Sequence, residues 1–262
     1  NSPGLTTIIE NTPTRNHTEI LLRKIGAKIQ IKKFKKKKII KITGQKELKA
    51  KNISIAGDPS AASIIGSAAL ITPESEIKIM KVNINKTRTT FFNILKKMNA
   101  KINISNKKRI SNEQVGDITF KSSNLKGVHL GKETVANMID EIPMFSVLAA
   151  FAKGNSSFSG GNELRNKESD RIKSLYEGLT TCKIKVKKKN DGLQITGNKK
   201  VNITRDVKIK TYCDHRIAMA FLVMGLASKK KIIIDNVNCI KTSFPNFVTI
   251  MKDIGANFSK KN

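Results

Sequence analysis

Asp214-His-Arg-Ile-Ala-Met-Ala-Phe-Leu-Val-Met224 reads as an aspartate leading a helix that is apolar on nearly every side. Aspartate is a favourable N-cap, because its carboxylate accepts hydrogen bonds from free N–H groups of the first turn. A helix that is hydrophobic all round belongs in a protein interior. The pattern occurs twice more. Asp58 leads Pro-Ser-Ala-Ala-Ser-Ile-Ile, and Asp140 leads Glu-Ile-Pro-Met-Phe-Ser-Val-Leu-Ala-Ala. Pro59 suits the first helical turn, where its missing N–H costs nothing. The three aspartates lie 82 and 74 positions apart.

A second segment recurs with matching spacing, a half-polar helix running into a strand. It appears as residues 22–29, 95–102, 177–184 and 251–258, with Ala27, Ala100, Cys182 and Ala256 in equivalent places, 73, 82 and 74 apart. Each unit of about 75 residues thus holds one buried helix, one half-exposed helix and intervening strands, such as 77–84, 184–186 and 231–234. This is an α/β arrangement of a few large units. Gly57-Asp58-Pro59, after a Lys-rich hairpin from Lys32 to Lys51, is the expected boundary between a region 1–56 and a domain 57–262. Residues 2–9 correspond to 72–79, the turn and strand that follow a buried helix. The chain is therefore expected to begin inside a unit and to be a fragment of a longer protein.

Composition narrows the function classes. An apolar fraction of 39% supplies a sizeable core across 262 residues. No apolar run is long enough for a membrane span, and a cytoplasmic location is expected. Cys182, Cys213 and Cys239 form no CxxC pattern and are odd in number, as in a reducing compartment. The net charge of +30 invites a nucleic-acid reading. However, the lysines are spread along the chain with Asn and Ile, as an AT-rich genome favours. Aromatics are 5% with no Trp, so stacking platforms are scarce. Nucleic-acid binding is thus disfavoured as the main function. A positive field would still draw in phosphorylated substrates.

The densest polar cluster is Glu163-Leu-Arg-Asn-Lys-Glu-Ser-Asp-Arg171, six charges at the approach and start of a helix. Ile172, Leu175, Tyr176 and Leu179 then form an apolar stripe. On a helix Lys167 and Glu168 would both share a face with Arg171. Such a cluster suits an anionic substrate that also needs protons moved; the plainer reading is a solvated charge face. Asp140 likewise reads either as a general base or as an N-cap. Arg216 sits where a cation opposes the helix dipole. That placement makes sense if an anion docks there, or if Arg216 pairs locally with Asp214. His215 either orients a site or satisfies a buried hydrogen bond.

Six motifs in order carry a family resemblance: Thr14-Arg-Asn-His-Thr-Glu19, Gly57-Asp-Pro-Ser60, Ile139-Asp-Glu-Ile-Pro143, Glu163 to Arg171, Asp214-His-Arg-Ile-Ala-Met219 and Ser243-Phe-Pro245. They resemble the 5-enolpyruvylshikimate-3-phosphate synthase family, in its class II variant. The resemblance implies an enolpyruvyl transferase fold of two domains and six βαβαββ units, with 57–262 nearly one whole domain and 1–56 the remnant of the other. It implies transfer of an enolpyruvyl group from phosphoenolpyruvate to the 5-hydroxyl of shikimate 3-phosphate, without metal or cofactor, by a protein that is monomeric at full length.

Site roles follow from the same resemblance. Asp140, Lys167 and Glu168 would be catalytic. Lys167, Arg171 and Arg216 would hold phosphoenolpyruvate; Asp140, Lys167 and Arg15 would meet shikimate 3-phosphate; His215 and Asp214 would support them. Some members carry a lysine where Thr242 stands, preceded here by Lys241. The family's Lys-Ser element, its Ser-rich loop and a further arginine have no counterpart in the chain, so residues 1–262 alone are expected to be inactive. The alternatives are the sister transferase acting on UDP-N-acetylglucosamine and a non-catalytic RNA-binding remnant.

Overall fold

The computed structural model describes residues 2–35 and 37–259. The chain runs β1 (Leu5–Glu10), α1 (His17–Lys24), β2 (Ile29–Phe34) and β3 (Lys37–Thr43). It continues with α2 (Pro59–Ile71), β4 (Glu76–Asn83), α3 (Thr90–Lys97), β5 (Lys101–Ile110), β6 (Glu113–Lys121), β7 (His129–Leu130) and α4 (Lys132–Asn137). A 3-10 turn (Ile139–Glu141) leads into α5 (Ile142–Phe151), followed by β8 (Gly154–Phe158), α6 (Arg171–Thr181), β9 (Lys185–Lys189), β10 (Gly192–Gly197) and β11 (Val207–Ile209). The last elements are α7 (His215–Leu226), β12 (Ile232–Ile234) and α8 (Phe247–Asp253).

The repeat inferred from the aspartates is visible in this order. A buried helix, a strand, a half-exposed helix and a hairpin follow one another as α2-β4-α3-β5-β6 and as α5-β8-α6-β9-β10. The run β1-α1-β2-β3 repeats the later part of the same unit, and α7-β12-α8 repeats the earlier part. The hairpins pair antiparallel, with Ile31 opposite Ile40, Ile104 opposite Ile118 and Ile195 opposite Val186. The sheets are β1-β3-β2, β4-β6-β5, β7-β8-β10-β9 and β11-β12.

Helices α2, α5 and α7 pack against one another, and each also lies on a sheet strand of its own unit: β4, β10 and β12 respectively. Every residue of α5 is buried. An apolar helix surrounded in this way is stabilised on all faces by removal from water. The half-exposed helices ride outside. α6 reaches the core closely because of Gly178: a Cβ there would collide with the Phe221 ring of α7. That contact lets the later part of α6 approach the middle of α7.

Three local expectations need correction. The Lys-rich hairpin ends at Thr43 rather than Lys51; Gln45 adopts φ 53°, and residues 44–56 form no strand or helix. Lys167 and Glu168 are not helical. A 3-10 turn (Asn162–Asn166) precedes them, and α6 begins at Arg171 because Asp170 caps it, accepting from the Lys173 N–H at 3.0 Å. Asp140 does not cap α5. It sits inside the 3-10 turn, and no side chain caps that helix. No helix among the described residues is long and apolar enough to cross a membrane.

Candidate active site

The starts of α5, α6 and α7 converge. Asp214 is fully buried at the head of α7. One carboxylate oxygen accepts from the backbone N–H groups of Arg216 (2.8 Å) and Ile217 (3.4 Å). The other accepts from Arg171 Nε at 2.8 Å and from the Ser169 hydroxyl at 3.1 Å. Tyr212 and Cys213 both adopt left-handed backbone conformations, φ 55° and 57°. Non-glycine residues rarely do so. The resulting turn is closed by the Asp214 N–H donating to the Thr211 carbonyl at 3.0 Å.

Arg171 is the largest of the fully buried side chains, 1% exposed. A buried guanidinium is tolerable only where anions compensate it. Asp214 does so from below, and Glu168 from the rim, accepting from Nη2 at 2.6 Å. The third nitrogen, Nη1, is buried, makes no hydrogen bond, and lies 3.7 Å from Asp140 Oδ1. Arg216 Nε is likewise buried without a hydrogen-bond partner. Arg216 forms no ion pair within 4 Å among the described residues, because Asp214 is engaged with Arg171 and the α7 backbone. The local Asp214–Arg216 salt bridge therefore does not form.

Asp140 faces this cationic wall. Arg15 donates to Oδ2 at 2.8 Å, and Lys167 Nζ lies 4.0 Å from Oδ1. Burial pushes the Asp140 carboxyl up, but Arg216, Arg15 and Lys167 together outweigh it and hold the group below the usual aspartate range. It is a carboxylate at neutral pH. His215 lies at the edge, its Nδ1 3.8 Å from Glu168 Oε1. Burial lowers its pKa, Arg216 adds to that, and the pull of Asp214 and Glu168 does not compensate. The ring is therefore neutral at pH 7, and the Glu168 contact is no ion pair there.

The site unites every residue singled out from the sequence: Asp140, Lys167, Glu168, Arg171, Arg216, Arg15, His215 and Asp214. Arg15 reaches it from the loop between β1 and α1 and is half exposed. Asp170 holds Arg165 at 2.9 Å, whereas Glu163 makes no ion pair among the described residues. His17 bonds Glu113 and His129 bonds Ser157, both outside the site. Cys182 is buried and its thiol is pushed up to about 12, as suits an inert core group. Ser169 was missed. It stood inside the quoted charge cluster, but a serine among charges gives no sequence signal of a buried carboxylate partner.

A family model described as EPSP synthase (3-phosphoshikimate 1-carboxyvinyltransferase) matches residues 1–251. A relative from Parvibaculum lavamentivorans, a 3-phosphoshikimate 1-carboxyvinyltransferase, is 42% identical over 98% of this chain and 57% of its own length. A relative of the same name from Zymomonas mobilis is 40% identical over 98% of this chain and 58% of its own. A solved EPSP synthase from Acinetobacter baumannii superposes with TM-score 0.89 at 35% identity, covering 98% of this chain and 58% of that one. The enolpyruvyl transferase NikO from Streptomyces tendae shares the fold, with TM-score 0.73 at 16% identity. The chain belongs to the EPSP synthase family. It spans a little under three fifths of the length of these relatives.

Proposed function

We propose that this EPSP synthase family member supplies one wall of an active site that transfers the enolpyruvyl group of phosphoenolpyruvate to the 5-hydroxyl of shikimate 3-phosphate, releasing phosphate. The observation that carries the proposal is the pair of buried guanidinium N–H groups without hydrogen-bond partners, Arg171 Nη1 and Arg216 Nε. Desolvated donors of this kind are costly unless a ligand takes them up, and arginine forks match phosphate and carboxylate. Phosphoenolpyruvate carries both groups.

In the proposed reaction Asp140 removes the proton of the 5-hydroxyl as its oxygen bonds to C2 of phosphoenolpyruvate. Glu168, half exposed and steered by Arg171, delivers a proton to the methylene carbon. The tetrahedral adduct then returns a proton from the same carbon to the Glu168 carboxylate as the C2–O bond to phosphate breaks and phosphate leaves with its electron pair. A carboxylate held ionised by surrounding cations is a weak base in isolation. It becomes effective when the hydroxyl is held within hydrogen-bond reach. Lys167, 4.0 Å from Asp140, would lie between the two substrates and shield the charge that develops as the adduct forms. Arg15 would meet shikimate 3-phosphate from the other side. On this reading residues 1–56 close one domain and 57–262 form the other, with the substrates between them.

The test is phosphate release from phosphoenolpyruvate in the presence of shikimate 3-phosphate, by the complete protein that contains this chain. Release that depends on shikimate 3-phosphate is the expected result. Release that depends instead on UDP-N-acetylglucosamine would overturn the assignment.

A further inference from the structure

Asp140 is the one leading aspartate of the three repeats whose carboxylate is not tied to its own helix. Something else must hold the 3-10 turn Ile139–Glu141 in place of a cap. Glu141 does so. Its N–H donates to the Met138 carbonyl at 2.9 Å, and its carboxylate crosses to the neighbouring repeat, accepting from the Ser60 hydroxyl at 2.5 Å. The Ser60 oxygen in turn accepts from Arg88 Nη2 at 2.9 Å, and the same nitrogen lies 3.2 Å from Asp58 Oδ1. The Arg88 side chain is only 11% exposed. Asp58 thus meets Arg88 directly, and Glu141 reaches it through the Ser60 hydroxyl.

The connection continues. Arg88 lies in a turn closed by its N–H to the Asn85 carbonyl at 2.8 Å, and Asn85 Nδ2 donates to Asn16 Oδ1 at 2.7 Å. Asn16 follows Arg15, which donates to Asp140. A circuit of polar contacts, closed by the peptide links Asp140–Glu141 and Arg15–Asn16, therefore runs from Asp140 through the Glu141 side chain, Ser60, Arg88, Asn85 and Asn16, and back through Arg15. No member of the strap Glu141–Ser60–Arg88 hydrogen-bonds to Asp140 itself.

We infer that Arg88, Ser60 and Glu141 are positioning residues for Asp140. They hold the helix start in the 3-10 form that turns the Asp140 carboxylate out of the capping position and toward Lys167, Arg171 and the acceptor hydroxyl. This rests on the reaction proposed above. Loss of Ser60 unlinks Glu141 from Arg88, and loss of Arg88 leaves the Ser60 hydroxyl that holds Glu141 without its own anchor. Catalysis is sensitive to sub-ångström placement of a base; recognition of phosphoenolpyruvate by Arg171 and Arg216 does not use the strap.

The experiment compares Ser60→Ala, Arg88→Ala and Arg88→Lys with wild type in the complete protein, using phosphoenolpyruvate and shikimate 3-phosphate. The two alanine variants are expected to lose kcat by about tenfold while KM for phosphoenolpyruvate stays within about twofold. In Arg88→Ala the acid limb of the kcat–pH profile moves to higher pH, and Arg88→Lys restores most of both. Unchanged kcat and acid limb would overturn the inference, as would a loss equal to the unfolded fraction in a thermal melt. If wild type shows no transfer, the functional reading fails separately. Carboxyl-carbon NMR of Asp140 then decides: an unshifted titration in Ser60→Ala and Arg88→Ala refutes the strap, and a raised one supports it.

Discussion

Asp214 and Asp140 occupy the same place in successive repeats and are used in opposite ways. Asp214 is fully buried, caps α7 through two N–H groups and clamps Arg171. Asp140 is partly open, caps nothing, and points into a ring of cations. One is committed to the fold, and the other is left free of its own helix. The difference originates in a few residues. At α7 the left-handed pair Tyr212–Cys213 delivers Asp214 onto the helix axis. At α5 a 3-10 turn followed by Pro143 keeps Asp140 off it. Repetition supplied a helix start three times, and local backbone geometry decided which copy leaves its carboxylate untied to its own helix.

The contrast breaks most readily at Asp214. Asp214→Ala should destabilise the fold by about 3–5 kcal/mol, because it strands the buried Arg171 charge. Urea denaturation measures this; a loss below about 1 kcal/mol would mean the clamp is not structural. Asp140→Asn should do the reverse. In the complete protein kcat is expected to fall on the order of 10²–10⁴-fold, with the unfolding midpoint near that of wild type. A large loss of stability with kcat preserved would exchange the roles assigned to the two aspartates.

Asp58, the third copy, lies between them. It caps α2 through Ser60 and Ala61 and remains exposed. Asp58→Ala should cost about 1 kcal/mol, as for an ordinary N-cap, visible as a small shift in the denaturation midpoint. A cost as large as that of Asp214→Ala would show that burial adds nothing to capping.

The smallest expected effect is in pH dependence. The folded state holds His215 below its ordinary value of 6.5, so the unfolded chain binds a proton more readily. Its contribution to stability is complete above pH 6.5 and declines as pH falls below that, levelling once the folded value is passed. Asp140, held below 3.8, behaves alike in a lower window: its contribution is complete above that value and is lost as pH falls through the folded value. His215→Asn should flatten stability against pH just below 6.5 without touching the acid window, and Asp140→Asn should do the converse. Equal slopes in wild type and His215→Asn would remove histidine from the account.

Much of the architecture was legible because it is periodic. The aspartate-led apolar helices marked α2, α5 and α7, and their spacing located the half-exposed helices between them. Boundaries were less legible where turn chemistry competes with periodicity. Asp170 ended the irregular segment and began α6 at Arg171, so Lys167 and Glu168 reach the site from a loop rather than along a helical face. Of the site, the charged residues stood out as motifs. Ser60 and Glu141 lay inside quoted motifs without a visible role, and Arg88 lay in none.

The sequence by itself determined which helices are buried and which charges must gather, because apolar patterning and uncompensated charge are properties of composition along the chain. It also carried the family. What the tertiary structure decided is which of the gathered charges are neutralised and which remain available. Arg171 is balanced by Asp214, 43 positions away, while Glu141, next to Asp140, is engaged by Ser60, 81 positions away. Pairing of this kind depends on distances of a few ångströms across packed helices. No one-dimensional pattern encodes those distances, because electrostatic compensation acts through space and not along the chain.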